Sequence, residues 1–174
     1  MNRRWLVRQI AFVAAACGTC GALSATEPTP HKGTDVLRSM PESKWHFGGV
    51  VAPRLAANMD QWLLRAPEAN PALLEMFRLR DRQPVPKLTP WAGEFAGKYL
   101  ISCVQALRLS ERADLREHTA RFVAELIGTQ ADDGYLGPFP KGARLRGAWD
   151  LWGHYHVMQG LLLWHDYSGD AAAL

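Results

Sequence analysis

Trp91-Ala-Gly-Glu-Phe-Ala-Gly-Lys-Tyr-Leu-Ile-Ser-Cys-Val-Gln-Ala-Leu-Arg-Leu109 is the stretch on which the fold turns. Phe95, Ala96, Tyr99, Leu100, Ile101, Cys103, Val104, Ala106, Leu107 and Leu109 leave almost no polar face, and a helix apolar all round is a buried one. The next periodic segment, 114–130, differs. It sets Leu115, Phe122, Val123, Leu126 and Ile127 against Arg116, Glu117, Arg121 and Glu125, the pattern of an outer, amphipathic helix. A third segment, 150–168, is again apolar on most sides through Val157, Met158, Leu161, Leu162, Leu163, Trp164 and Tyr167, and Gly169 stops it. Inner, outer, inner helices joined by loops form the repeat of an α/α toroid. The expected fold class is therefore all-α, a partial (α/α)6 toroid comprising its N-terminal half. Twelve helices of about 11–12 residues with their connections need well over roughly 200 residues, and Asp170-Ala-Ala-Ala-Leu174 reads as the opening of one more helix. A truncated toroid carries a second expectation, an exposed apolar edge.

Upstream, Pro53 suits the first turn of a helix running to about Leu64, and Asn70-Pro71 suits a cap and first position ahead of Leu73, Leu74, Met76 and Phe77. The run Gln83-Pro-Val-Pro-Lys-Leu-Thr-Pro90 is a loop, because each proline disfavours helical backbone before it. Residues 45–51 read as a short strand or loop. Residues 26–44 form an exposed lead, and 45–174 the incomplete toroid domain.

Residues 1–25 have the order of a secretory signal peptide: Arg3, Arg4 and Arg8, an apolar core over 10–17, then Gly21, Ala22, Ser24 and Ala25. The apolar run is too short to span a bilayer. A secreted or periplasmic protein is expected, with acylation of Cys17 as the rival. Removing this segment takes three arginines from the 20 basic residues and none of the 17 acidic ones, leaving 17 of each. No basic patch for nucleic acid remains, nor is integral membrane association expected. Of Cys17, Cys20 and Cys103 the exported part keeps Cys103, which alone forms neither a disulfide nor a thiolate zinc site.

The candidate site residues are aromatic and acidic groups near the starts of the inner helices: Trp91, Glu94, Trp149, Asp150, Trp152 and His156, with Tyr135 from the intervening loop. Sugars stack their C–H surfaces on aromatic rings and offer hydroxyls to Asp, Glu and His. His156 shares a stripe with Trp152, Gly153 and Gly160, and glycines inside a helix cost about 1 kcal/mol each against alanine, so something approaches closely there, a ligand or a neighbouring helix. Glu94 is either a site carboxylate or a first-turn charge paired with Lys98. Asp150 either caps its helix or orients His154 four residues on. His154 and His156 point roughly 200° apart on a helix, so one ion cannot take both. Asp132-Asp-Gly-Tyr-Leu-Gly137 reads as a helix exit, with Tyr135 covering the helix end or reaching the rim.

Trp91-Ala-Gly-Glu-Phe-Ala-Gly-Lys-Tyr-Leu100, Glu125-Leu126 with Thr129-Gln130 and Asp133-Gly-Tyr-Leu-Gly137, and Trp152-Gly-His-Tyr-His156 with Tyr167-Ser-Gly169 together resemble the N-terminal half of the β-L-arabinofuranosidase-like glycoside hydrolases, family 127 and relatives, over residues 45–174. The resemblance implies an (α/α)6 barrel and retaining hydrolysis of non-reducing-end furanosides such as β-L-arabinofuranosides. It places His156 on a histidine of the sugar pocket, although Tyr155 stands where the family has glycine. It also implies a glutamate acid/base, a cysteine nucleophile and a zinc ion, all expected beyond Leu174, with no zinc ligands in this chain and no activity of this part alone. Two other readings stay open: a non-catalytic carbohydrate-binding or other α/α-toroid protein, and a helical interaction domain. Oligomeric state is not legible.

Overall fold

A computed structural model describes residues 45–145 and 149–174. The expected signal peptide and N-terminal lead, with Cys17 and Cys20, lie outside the described residues. Those described form an all-α structure: α1 (Val51–Asn58) continuing as a π-helical turn (Met59–Leu63), α2 (Ala66–Ala69), α3 (Ala72–Arg78), α4 (Glu94–Arg108), α5 (Ala113–Ile127) and α6 (Asp150–Ser168), with short 3-10 turns at Lys141–Ala143 and Ala171–Ala173. Residues 45–48 are irregular and exposed, a loop rather than a strand.

Several boundaries follow from local chemistry. α6 ends at Gly169, which adopts φ +75° and donates its N–H to the carbonyl of His165, the left-handed stop that glycine takes without steric cost. α4 starts at Glu94, three residues later than its apolar pattern suggests, because 91–93 fold as a turn with the N–H of Glu94 on the carbonyl of Trp91. Asn70 lends α3 its carbonyl, to the N–H of Leu73, and not its side chain. Asp170 takes the N–H of Ala172 on its carboxylate and caps the last turn.

α4 and α5 are joined by a four-residue link and pack antiparallel, with Leu115, Phe122, Val123 and Leu126 buried toward α4. The ring of Tyr99 meets Phe122 edge-on, centroids 4.7 Å apart, while its hydroxyl donates to the carbonyl of Leu63 at 2.6 Å. The core is continuous through Leu63, Phe77, Leu100, Val104, Leu115, Val123, Leu126 and Val157, each such fully buried side chain contributing about 1.5–3 kcal/mol.

The contact that organises the molecule is α4 on α6. Gly93 meets Gly153, Gly97 meets His156 and Val157, and Leu100 meets Gly160; residue numbers rise together, so the two helices run parallel with the antiparallel α5 between them in sequence. A methyl group on Gly97 would stand 2.3 Å from the carbonyl carbon of His156, so only glycine permits this approach. The glycines of α6 thus serve helix packing: Gly153 faces the backbone of Gly93 and Gly160 faces the carbonyl of Gly97.

Neither inner helix is enclosed on every side among the described residues, in contrast to the reading from composition. α4 leaves Phe95, Lys98, Ser102 and Gln105 exposed. On α6, Leu151, Tyr155, Met158 and Leu162 are all exposed and lie at helical spacing opposite the stripe of Gly153, Val157, Gly160 and Trp164. These four side chains form an exposed apolar stripe.

Candidate functional site

Parallel packing brings the N-termini of α4 and α6 to one end. Trp91 precedes α4 by three residues, Trp149 directly precedes α6, and Trp152 and His156 lie in the first two turns of α6. Trp91, Trp149 and Trp152 are exposed. Trp149 opens α6 in a left-handed conformation, φ +58°, a strained setting for a bulky residue. Its ring meets Trp152 edge-on at 6.4 Å, Tyr155 stacks on Trp152 at 5.7 Å, and the imidazole of His156 stands perpendicular to Trp152 at 4.7 Å. Tyr155 escaped the reading from residues, although its place three after Trp152 on a helix was the available signal.

Glu94 joins this cluster across the helix contact. One of its oxygens takes the Lys98 ammonium at 2.8 Å and the other accepts the indole N–H of Trp152. The i,i+4 ion pair with Lys98 forms, and the same carboxylate lies beside the indole of Trp152. Burial pushes the Glu94 carboxyl up, but the hydrogen bonds from Lys98 and Trp152 outweigh it and hold the pKa below the ordinary value. The ammonium of Lys98 lies 6.0 Å from the Trp152 ring centre, within cation–π range.

His156 is only 9 % exposed, and neither ring nitrogen has a hydrogen-bond partner. Burial, with Lys98 adding to it and Glu94 opposing, lowers its pKa, so the ring is neutral at pH 7 with one N–H and one lone pair unused. A buried polar group without a partner costs about 1–3 kcal/mol.

Asp150 and Tyr135 occupy a different environment. Asp150 is 1 % exposed and is the first helical residue, not the cap. Its carboxylate accepts from the hydroxyl of Tyr135 at 2.9 Å and from the N–H of Leu145 at 2.8 Å, and lies 3.3 Å from Nδ1 of His154. Burial alone raises its pKa, but hydrogen bonds from His154, Leu145 and Tyr135 bring it below the ordinary value. The bond to Asp150 raises that of His154 against the opposing effect of burial. Tyr135 is buried, and its hydroxyl also accepts from the N–H of Phe139 at 3.2 Å. The turn before it forms as the sequence implies, with Gly134 at φ +85° and the N–H of Ala131 on the carbonyl of Tyr135. Arg80, buried, donates to the carbonyls of Gly137 and Thr129, and nothing in the sequence pattern singles it out.

Metal chemistry finds little foothold. His154 tilts over Tyr135 while His156 faces Trp152, and among the described residues no group of three His, Cys, Asp or Glu side chains is placed to hold an ion. Cys103 is buried, and burial pushes its thiol up to about 11, with Tyr99 and Thr119 pulling the other way. A neutral thiol sealed in the core is neither ligand nor nucleophile. These donors do not fit a zinc ion. No helix among the described residues is long and apolar enough to cross a membrane.

No curated protein and no solved structure matches the chain. A family model does, that of the beta-L-arabinofuranosidase GH127 catalytic domain, over residues 46–174. With that match spanning the helices that carry the aromatic mouth, the chain belongs to the glycoside hydrolases of family 127.

Proposed function

We propose that the shared end of α4 and α6 is the glycone-binding wall of a glycoside hydrolase acting on non-reducing-end furanosides such as β-L-arabinofuranosides. The observation that carries this reading is His156, a neutral, buried imidazole with a free donor and a free acceptor beside an indole. A sugar hydroxyl that reaches the ring edge can bond one of these nitrogens, accepting from the N–H or donating to the lone pair. Each Glu94 oxygen keeps a further lone pair for a hydroxyl, and the exposed ring of Trp149 suits the C–H side of a sugar ring. Retaining hydrolysis through a glutamate and a cysteine thiolate is the chemistry that the family resemblance implies, and the pattern of residues 1–25 supports export. Cys103 is unsuited to the nucleophile's part, so the described residues are assigned to binding. The parallel α4 and α6 with antiparallel α5, and the apolar stripe on α6 facing away from α4, support successive staves of an (α/α)6 toroid whose next inner helix covers Leu151, Tyr155, Met158 and Leu162.

Saturation-transfer NMR with methyl β-L-arabinofuranoside tests the reading on this chain. Transfer to the sugar that disappears in Trp152→Ala and in His156→Phe is expected; absence of transfer to the wild-type protein, or its persistence in both variants, overturns it.

A further inference from the structure

We propose that Asp150 is a positioning residue, a buried carboxylate that latches the rim loop, residues 131–145, onto the start of α6 and so fixes Trp149 and Trp152 at the mouth, with His154 tuning the latch. The purpose of fixing that mouth rests on the sugar-binding reading above. The latch itself rests on geometry. Three donors from separate places converge on one carboxylate: the hydroxyl of Tyr135, the backbone N–H of Leu145, and Nδ1 of His154, which is also 2.9 Å from the carbonyl of Asp150. An aspartate that served only to cap α6 would turn an oxygen to the helix's own first N–H groups, and α6 has no such bond.

The loop is also braced within itself and against Arg80. Arg144 pairs with Asp133 at 2.9 Å and lies 4.0 Å over the ring of Tyr135, and Arg80 lies 5.7 Å from the same ring. The charged and titratable groups around the latch are thus Arg80, Asp133, Tyr135 and Arg144 from chain preceding α6, and His154 from α6 itself. Leu145 at φ +64° and Trp149 at φ +58° bracket the junction. Two non-glycine residues in this region persist only where their surroundings over-determine them, and Asp150 supplies the bond to Leu145. Both ionic halves are in place between about pH 4 and about pH 6.5, the ordinary carboxylate and imidazole values, and the lowered Asp150 and raised His154 widen that window on both sides.

The test is Asp150→Asn, because asparagine caps a helix as well as aspartate does but offers one acceptor oxygen to three donors and no charge to His154. In the whole chain we expect trypsin to cut after Lys141 and Arg144 about tenfold faster, the equivalent of one lost charge-assisted hydrogen bond. The indole N–H signals of Trp149 and Trp152 are expected to shift, and His154 to titrate closer to an ordinary histidine. Tyr135→Phe, which keeps the carboxylate, should speed cleavage by a smaller factor and serves if Asp150→Asn does not fold. Unchanged cleavage, indole signals and His154 titration in the variants that fold would overturn the latch. A loosened loop in a protein that never binds arabinofuranoside would leave the latch standing and sink the sugar reading instead.

Discussion

Two polar clusters lie within a few turns of each other at the start of α6 and are built on opposite terms. Around Asp150 every oxygen is matched to a donor; around His156 a buried ring is left with both nitrogens unpaired. The first arrangement is what stability asks of buried polar groups. The second costs stability and leaves hydrogen-bonding capacity unused.

The contact beneath both clusters is where the comparison breaks most completely. In Gly97→Val, side-chain atoms are forced against the backbone of α6, and a loss of more than about 3 kcal/mol is expected in urea unfolding, the upper range for overpacking. Both clusters should dissolve together in that variant. Asp150→Ala, by contrast, should cost about 1–3 kcal/mol, because the buried Tyr135 hydroxyl loses its acceptor and the bond to the Leu145 N–H is lost. His156→Phe, nearly the same size, should lie between neutral and about 1 kcal/mol more stable, since it removes two unpaired polar atoms. A loss there comparable to that of Asp150→Ala would erase the distinction between the clusters.

The histidines sharpen it further through pH. The folded-state pKa of His154 is raised, so its contribution is complete below about 6.5 and is lost as pH rises through the folded value. For His156 it is lowered, so its contribution is complete above about 6.5 and is lost as pH falls through the folded value. Stability measured against pH for His154→Gln should lose the decline on the alkaline side; for His156→Phe it should lose the decline on the acidic side. The smallest effect is expected at the exposed apolar stripe, where Met158→Ser changes stability within about 0.5 kcal/mol in urea unfolding.

How much of this the sequence discloses depends on the range of the interactions. α6 is legible almost to the residue because Gly169 punctuates it, and the polar–apolar division of α5 reads directly from Leu115, Phe122, Val123 and Leu126. The π-helical turn at Met59–Leu63 and the late start of α4 leave no mark in apolar spacing. The glycines of α6 announce a close approach without naming the partner; Gly93, just before α4, and Gly97 within it supply it. At the mouth, residue type alone points to Trp152, Glu94 and His156, since aromatic and titratable groups crowd the helix starts. The latch stays hidden because its bonds join Tyr135 to Asp150 and Arg80 to Gly137 and Thr129, pairings that only the folded chain creates.

The account turns on the idle imidazole of His156, and nitrogen-15 NMR of that ring during titration with methyl β-L-arabinofuranoside interrogates it directly. Saturable movement of both ring nitrogens, with His154 unmoved, is the predicted result. Ring nitrogens that stay fixed while the sugar binds elsewhere, or a ring that titrates as an ordinary solvated histidine, would contradict it.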